Sequence, residues 1–310
     1  MFLRDDEAMN YLAGAVLLTF PWVGVSWGTW GVVWEILMLL ALFLFGRRRG
    51  LLVTTVLVLI GYVAPLIVLG GTAFNQMTLV PLAGLMGVLG WQRHWRVRVT
   101  FFWSAMVAAI LAVIPTLPFL GQGFDSKTVS DMINLAIQQY KASGLLAVIQ
   151  QQGISEVQFR DSLQQVIHFY GLIIPALSAI VALAEYGLVF YSVSRWFRDE
   201  GRIPFTRWRL PWYAVWGGIL GIVFYLLGDQ FSWAVLSGLG INLMVVYGAL
   251  TLVLGVSVYL YLLQSPKIPR VLKFTLILTS FVYFFFSLVS IMMFGLFDLV
   301  FNFRRLPEES

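Results

Sequence analysis

Apolar stretches long enough to cross a membrane follow one another along most of the sequence, separated by short polar or basic turns. Between Tyr11 and Phe45 the only charged residue is Glu35, and this stretch has room for two short helices with a break near Pro21–Gly28. A membrane-spanning helix needs about 20 mainly apolar residues. By that criterion the sequence predicts further spans at residues 51–70, 77–91, 99–118, 165–194, 212–227, 236–263 and 272–293.

One long polar stretch, residues 119–164, interrupts this pattern. Gly153 divides it into two segments, and Asp125 or Ser126 can cap the first as a helix, while Ser155 can cap the second. The apolar positions of the first segment follow helical spacing: Val129, Met132, Ala136 and Tyr140. The stretch therefore predicts an amphipathic helical hairpin, which is either a connector on the membrane surface or a lid over a site between the spans.

These patterns together predict an all-α fold. We expect a polytopic transmembrane helical bundle of eight to nine spans with an extracytoplasmic amphipathic helical hairpin. The expected organisation has three parts: N-terminal membrane helices at 1–118, the amphipathic segment at 119–164, and C-terminal membrane helices at 165–310.

The composition agrees with a membrane protein. Of the 310 residues, 60% are hydrophobic and 11% are charged, whereas soluble domains average roughly 45–50% apolar and about 25% charged residues. The net charge of +5 comes from basic residues in short turns such as 47–49, 93–98 and 195–209. The positive-inside rule places these turns and the N-terminus in the cytoplasm, and the clusters indicate membrane topology rather than nucleic-acid binding. Counting onward puts Arg304 and Arg305 outside, so the choice between eight and nine spans stays open.

Two acidic residues, Glu35 and Glu185, lie inside apolar stretches. Glu35 precedes Arg47 by twelve residues and Glu185 precedes Arg195 by ten, so each carboxyl lies roughly 15–18 Å from the inner surface at 1.5 Å per residue. A charged side chain at that depth costs at least about 2.5–3.5 kcal/mol on insertion scales, and such residues usually face the interior of a bundle. We expect both carboxyls to be uncharged or paired, and to serve either a helix contact or the binding of a ligand or proton.

Aromatic and small residues follow helical spacing near Glu35 and again near the start of a later span. The aromatic face predicts either a ligand pocket or filler against lipid and core, and it contains Trp27, Trp30 and Trp34. Glycines four residues apart allow two helices to approach closely. Two such pairs are predicted to pack helices, namely Gly24 with Gly28 and Gly217 with Gly221.

Three further polar residues lie in apolar surroundings in the C-terminal part of the chain. Asn242 follows a glycine-rich helix start, and a buried amide of this kind either bonds a neighbouring helix or binds a ligand. Asp298 precedes Arg304 by six residues, which predicts a structural ion pair between them near a membrane surface.

Several kinds of chemistry lack their sequence motifs. The chain has no cysteine and two histidines, so no thiolate or histidine metal site is expected. There is no GxxxxGK[ST] loop for ATP and no GxSxG nucleophile motif. We therefore expect no cofactor and no catalytic residues, and we expect that the protein is not an enzyme.

The C-terminal half carries motifs of a known kind, beginning with RWRLPWYAVWGGIL. The residues concerned are Trp208, Pro211, Asn242, Gly255, Gly295, Asp298 and Arg304. In this order they resemble the YybS-like family of bacterial multi-pass membrane proteins, whose function is unknown. That family is distantly similar to the substrate-binding subunits of energy-coupling-factor vitamin transporters, which bind a small molecule between helices and depend on separate ATPase subunits. The resemblance implies a protein of the bacterial cell (inner) membrane.

Two functions fit the sequence. In the first, the helices around Glu35, Glu185 and the tryptophan face form a midplane pocket, and the protein is a small-molecule binding or transport subunit without its own ATPase. Membrane or ATPase partner subunits are then expected. In the second, the glycine faces and arginine-rich turns belong to a non-catalytic scaffold or assembly partner of an envelope complex.

Overall fold

A computed structural model describes residues 2–26, 31–70, 77–197, 204–210, 214–266 and 268–306. The secondary structure of these residues is helical, with no β-strand among them. Their α-helices are α1 Phe2–Ser26, α2 Gly31–Arg49, α3 Leu51–Leu69, α4 Ala83–Gln92, α5 Val97–Val113, α6 Ser126–Ala142, α7 Leu145–Gln151, α8 Glu156–Trp196, α9 Val215–Gln230, α10 Ala234–Gln264, α11 Arg270–Val282 and α12 Phe284–Phe301. The all-α class predicted from the sequence is confirmed for this part of the chain.

Five stretches within the described ranges are long and apolar enough to cross a membrane. They are Leu51–Val68, Val97–Phe119, Glu156–Trp196, Ala234–Gln264 and Phe284–Phe301. Two shorter apolar helical stretches are Val80–Gln92 and Val215–Gln230. Several apolar helices therefore make this a membrane protein, whereas the total of eight to nine spans stays a prediction.

One expected span has different bounds in the structure. The sequence predicts a single helix at 272–293, but the chain leaves helical geometry at Tyr283, where φ is −108° and ψ is 51°. Helix α11 ends before this residue and α12 begins after it, continuing to Phe301. No proline or glycine marks the break; the local run FVYFFF consists of β-branched and aromatic residues, which have only moderate helix propensity.

Helices α1 to α5 and the second half of α8 form a compact unit, Met1–Pro115 with Ser178–Arg202. Helix α1 packs against α2 and α3, and α4 packs against α2 and α5. Helices α1 and α3 approach closely at Gly61, because a Cβ atom there would overlap the carbonyl oxygen of Leu17. The most deeply buried large side chains of this unit include Leu17, Met38, Leu39, Leu42, Phe43, Val58, Val88, Tyr186, Val189 and Val193.

The second compact unit comprises Thr116–Leu177 with Ile203–Ser310. In it α10 packs against both α9 and α12. The 41-residue helix α8 contributes its first part to this unit and its second part to the other. The units thus group the residues differently from the three sequence segments 1–118, 119–164 and 165–310, whose bounds follow polarity and stay a prediction.

The polar stretch folds as helices α6 and α7 followed by the start of α8. Asp125 caps α6, because its carboxylate accepts a hydrogen bond from the Thr128 backbone N–H at 2.6 Å. The hydrogen bonds from Thr128 lower the pKa of this carboxyl below its ordinary value. A small apolar core joins α6 to the start of α8 and contains Val129, Ile133, Ile137, Phe159, Leu163 and Ile167.

This core corrects one detail of the predicted apolar face. Met132 is 40% exposed, whereas Ile133 and Ile137 are buried. The predicted face was therefore displaced by about one position from Val129 onward, because the sequence does not indicate the direction from which α8 approaches. Lys141 pairs with Glu156 at 2.9 Å and joins the two helices at the surface. Whether this hairpin lies outside the cell stays a prediction.

Candidate functional site

The structure brings Glu35 and Glu185 together inside the N-terminal unit. Glu35 lies in the second turn of α2, and Glu185 lies in the second half of α8. The Glu35 carboxyl lies near enough to the Glu185 carboxyl for the two acids to influence each other. Two acids 150 residues apart in the sequence therefore form one carboxyl pair.

Glu185 is almost completely withdrawn from solvent. It is 4% exposed, and within the described residues neither of its Oε atoms has a hydrogen-bond partner. Ionised carboxylates accept hydrogen bonds but cannot donate them, so a bond between Glu35 and Glu185 requires a proton on one of the two. A proton or a positive charge at this place would stabilise the two acids.

Tyr62 of α3 adds a third polar group to this neighbourhood. Its ring is buried, and its hydroxyl lies in the neighbourhood of the Glu35 carboxyl. That hydroxyl donates a hydrogen bond to the Thr78 carbonyl at 2.8 Å, so its proton is already used. The site therefore draws on three helices, α2, α3 and α8.

Aromatic rings connect α2 to the second half of α8. The Phe43 ring of α2 lies edge-on to the Tyr186 and Phe190 rings of α8, with centroids 5.6 and 6.0 Å apart. Further along both helices, the Arg47 guanidinium lies over the Phe197 ring at 4.5 Å. Residues later in α2 thus contact residues later in α8 and just beyond its end, so the two helices run in the same direction here.

Arg47 lies between two rings at the end of this unit where the basic turns are found. Its guanidinium is 4.7 Å from the centre of the Trp91 ring and 4.5 Å from that of Phe197. Arginine over an aromatic face is a favourable cation–π arrangement. This contact ties the ends of α2, α4 and α8 together and helps to hold the acids in register.

The tryptophan and glycine faces of the first helices are only partly within the described residues. Trp34 lies one residue before Glu35 in α2 and is half-buried. Trp27, Gly28 and Trp30 lie outside the described residues, and Gly24 lies in α1. The aromatic pocket and the Gly24–Gly28 contact therefore stay predictions.

Gly217 and Gly221 of α9 both lie against α10. A Cβ atom on Gly217 would overlap the Tyr247 ring, whose hydroxyl donates a hydrogen bond to the Ala214 carbonyl. A Cβ atom on Gly221 would lie 3.2 Å from atoms of Leu243 and Met244. The pair thus occupies a close helix contact, as glycines four residues apart commonly do.

Asn242 joins α10 to α8 within the C-terminal unit. Its side-chain oxygen accepts the Ala176 backbone N–H at 2.7 Å, and its amide nitrogen donates to the Leu172 carbonyl at 2.8 Å. A regular α-helix would bond these two backbone groups to each other. Pro175 lies between them, and a proline ring disturbs the helical turn that precedes it. The Asn242 amide satisfies both groups beside the proline, and a third bond to Gly238 saturates its second N–H.

The structure assigns Asn242 a helix-joining role, which leads to a testable expectation. Asn242→Leu will leave the Ala176 N–H and the Leu172 carbonyl unpaired in an apolar setting, at about 1–3 kcal/mol for each group. We expect a lower unfolding midpoint in detergent and faster hydrogen exchange at Ala176. Pro175→Ala in the same background should recover part of the loss, because the helix can then close its own hydrogen bonds. If Asn242→Leu lowers the unfolding midpoint equally with Pro175 present and with Pro175→Ala, the helix-joining role is contradicted.

Asp298 and Arg304 form a buried ion pair, with the guanidinium and carboxylate 2.7 Å apart and both side chains 2% exposed. The Arg304 side chain makes five hydrogen bonds: two to Asp298 and one each to the Thr206 carbonyl, the Ser257 hydroxyl and the Trp208 carbonyl. A guanidinium has five N–H donors, so each has a partner. The pair secures the end of α12 to α10 and to the segment before α9.

Sequence reasoning missed Tyr62 as a neighbour of the acids. Its position in the apolar stretch LIGYVAPLIVL could have marked it, because a tyrosine hydroxyl in an apolar helix needs a hydrogen-bond partner. It also missed the glycines at the closest helix contacts, Gly61, Gly255 and Gly295. Gly255 and Gly295 belong to the family resemblance, but none of the three is part of a glycine pair spaced four residues apart.

The described residues contain no group of three or more His, Cys, Asp or Glu side chains that could hold a metal ion. The carboxyl pair can accept hydrogen bonds, hold a proton and balance a positive charge. Within the described residues no serine, threonine or tyrosine hydroxyl donates to either oxygen of Glu185.

Comparison with known proteins gives one match. A family model described as Predicted membrane protein (DUF2232) matches residues 15–299. The match covers most of the 310 residues, including both acids of the carboxyl pair and Asp298. No curated protein and no solved structure is detectably similar to the chain.

Proposed function

The chain belongs to the DUF2232 family of predicted membrane proteins, and we propose that it is a small-molecule binding or transport subunit whose ligand site contains Glu35 and Glu185. The observation that carries the proposal is the buried Glu185 carboxyl, which has Glu35 beside it and no donor on either oxygen among the described residues. A buried polar group without a partner costs about 1–3 kcal/mol, more if it is charged. Such a group persists when a ligand or proton satisfies it.

The wider features of the chain fit a subunit that works with others. It has no ATP-binding loop in its sequence, so energy for transport would come from partner subunits or from an ion gradient. The YybS-like resemblance and its distant similarity to vitamin-transporter binding subunits support the same role by analogy. In this proposal the protein is non-catalytic and lies in the bacterial inner membrane, with its N-terminus in the cytoplasm and the α6–α8 hairpin outside.

Mass spectrometry of the purified protein tests the proposal. The wild-type protein in lipid nanodiscs should release a small molecule in about stoichiometric amount when it is denatured in organic solvent. The Glu35→Gln, Glu185→Gln double variant should release less than about a tenth of that amount, because the amides cannot balance a positive charge or hold a proton. Glu156→Gln is the matched control, since Glu156 is partly exposed and pairs with Lys141 at the surface.

Two results would contradict the ligand site. Full retention of the bound molecule by the double variant would remove these acids from the site. An empty wild-type protein that instead copurifies with a stoichiometric protein partner would favour the scaffold function. Circular dichroism of each variant must show unchanged helix content, so that a folding defect is not taken for a binding defect.

A further inference from the structure

We propose that the Glu35–Glu185 pair is an electroneutral exchange site, which releases one proton when it takes up one monovalent cation. The inference rests on the proposed binding function and specifies the chemical class of its ligand. It follows from the position of the pair, from the unpartnered oxygens of Glu185, and from the cost of net charge in an apolar interior.

The charge balance permits few states of the site. Glu185 is 4% exposed, and an uncompensated charge in such a position costs several kcal/mol. With both carboxyls protonated the pair is neutral. Loss of one proton leaves one negative charge, which a single monovalent cation neutralises. Proton and cation therefore exchange one for one, and the other carboxyl keeps its proton.

The other ionisable groups described around the two acids are two tyrosines and, farther away, an arginine. The charged group that acts on Glu185 within the described residues is Glu35. Tyr62 of α3 lies near Glu35, but its hydroxyl donates to the Thr78 carbonyl. Tyr186 follows Glu185 on α8 in the buried aromatic cluster. Arg47 lies twelve residues beyond Glu35, with its guanidinium held over two rings, roughly 18 Å along α2 from the carboxyl at 1.5 Å per residue.

The ligand chemistry follows from the atoms that face it. Carboxylate oxygens bind hard cations and also accept N–H donors from an ammonium group. An alkali ion and a protonated amine are thus the two sources of a suitable positive charge. A divalent ion would be neutralised only if both carboxyls lost their protons. Two like charges side by side at a buried place disfavour that state, so the site favours monovalent cations.

A hydrophobic carbodiimide provides the test. Dicyclohexylcarbodiimide adds to a protonated carboxyl: the acid proton moves to a carbodiimide nitrogen and the carboxyl oxygen bonds the central carbon. An acyl shift from oxygen to nitrogen then leaves a stable N-acylurea, with no atom lost. The protein in nanodiscs would be labelled across a range of pH with sodium chloride, potassium chloride or butylammonium chloride. Tetrapropylammonium chloride keeps the ionic strength constant, and digestion with mass spectrometry locates the adduct.

We expect labelling at Glu185 or Glu35 that falls as the concentration of the effective cation rises. Because one proton competes with one cation, the concentration for half-protection should rise about tenfold for each unit that the pH falls. The alkali and amine arms identify which source of charge the site accepts. Glu35→Gln should raise the cation concentration needed for half-protection, because the cation loses the oxygens of one of its two carboxyls, while Glu185 remains reactive. Glu156→Gln should change neither property.

Two outcomes overturn the exchange and separate it from the proposed function. Labelling that no cation reduces, together with a copurified neutral molecule that does reduce it, would keep the binding function and remove the exchange. Labelling that neither cations nor a copurified molecule change would remove both and leave the pair as a helix contact. If Glu35→Gln does not fold, the pH dependence of protection in the wild-type protein still tests whether one proton exchanges for one cation.

Discussion

Arg304→Ala will lower the free energy of unfolding by about 3–5 kcal/mol, the cost of leaving one member of a buried ion pair without its partner. Asp298 would remain 2% exposed with no guanidinium beside it. The backbone carbonyls of Thr206 and Trp208 would lose their donors at the same time. The segment before α9 should then detach from α10 before the rest of the unit unfolds.

An equilibrium unfolding titration in detergent can measure this loss of stability. Titration of the purified protein with sodium dodecyl sulfate, followed by circular dichroism, gives the midpoint of unfolding for each variant. Arg305→Ala is the matched control, because Arg305 is the next residue, has the same kind of side chain, and is exposed. We expect its effect to stay within about 0.5 kcal/mol, as for other surface substitutions.

The double variant Asp298→Ala, Arg304→Ala separates the pair from its individual members. Removing both charges leaves no buried charge without a partner, so the double variant should lose less stability than the sum of the two single variants. Additive losses would show that the two side chains act independently. That result would contradict a stabilising ion pair at the end of α12.

Gly255→Ala will lower the free energy of unfolding, although it adds only one methyl group, because α10 and α12 are in backbone contact at this position. A Cβ atom on Gly255 would overlap the Ile291 carbonyl oxygen. A Cβ atom on Gly295 would likewise overlap the Thr251 carbonyl oxygen, so the two glycines occupy one crossing. Backbone atoms cannot move aside without shifting the whole helix. Overpacking costs typically 1–3 kcal/mol and occasionally more, and we expect the upper part of that range.

Gly248→Ala on the same helix provides the control for this prediction. Its Cβ atom would lie 3.2 Å from the Met292 Cε atom, the end of a flexible side chain that can move. Alanine also has a higher helix propensity than glycine, by about 1 kcal/mol in a helix interior. We expect Gly248→Ala to be neutral or stabilising in the same detergent titration. Similar losses for Gly248→Ala and Gly255→Ala would show that the crossing at Gly255 is looser than described.

Arg304 also explains a difficulty in the sequence-based topology. The positive-inside rule treats Arg304 and Arg305 alike as markers of the cytoplasmic surface, and the count of spans put them outside. In the structure the Arg304 side chain is 2% exposed and bonded to Asp298. Its position therefore reflects the packing of α12, and Arg304 does not indicate on which side of the membrane the residues after α12 lie.

Local patterns in the sequence are enough to predict the helical class, the presence of several apolar helices and the Asp125 cap. These features depend on residue type and on spacing along a few turns, so they can be read without knowing the fold. The close contact at Gly217 and Gly221 follows from the same kind of local spacing.

Which residues meet was decided by packing between distant segments. The partner of Glu185 depends on the register between α2 and α8, which Phe43 and Arg47 set through rings on other helices. The break at Tyr283 and the contacts of Asn242 depend equally on neighbouring helices. Helical periodicity gives the face of a side chain but not its neighbour across the contact, and only the folded arrangement supplies that neighbour.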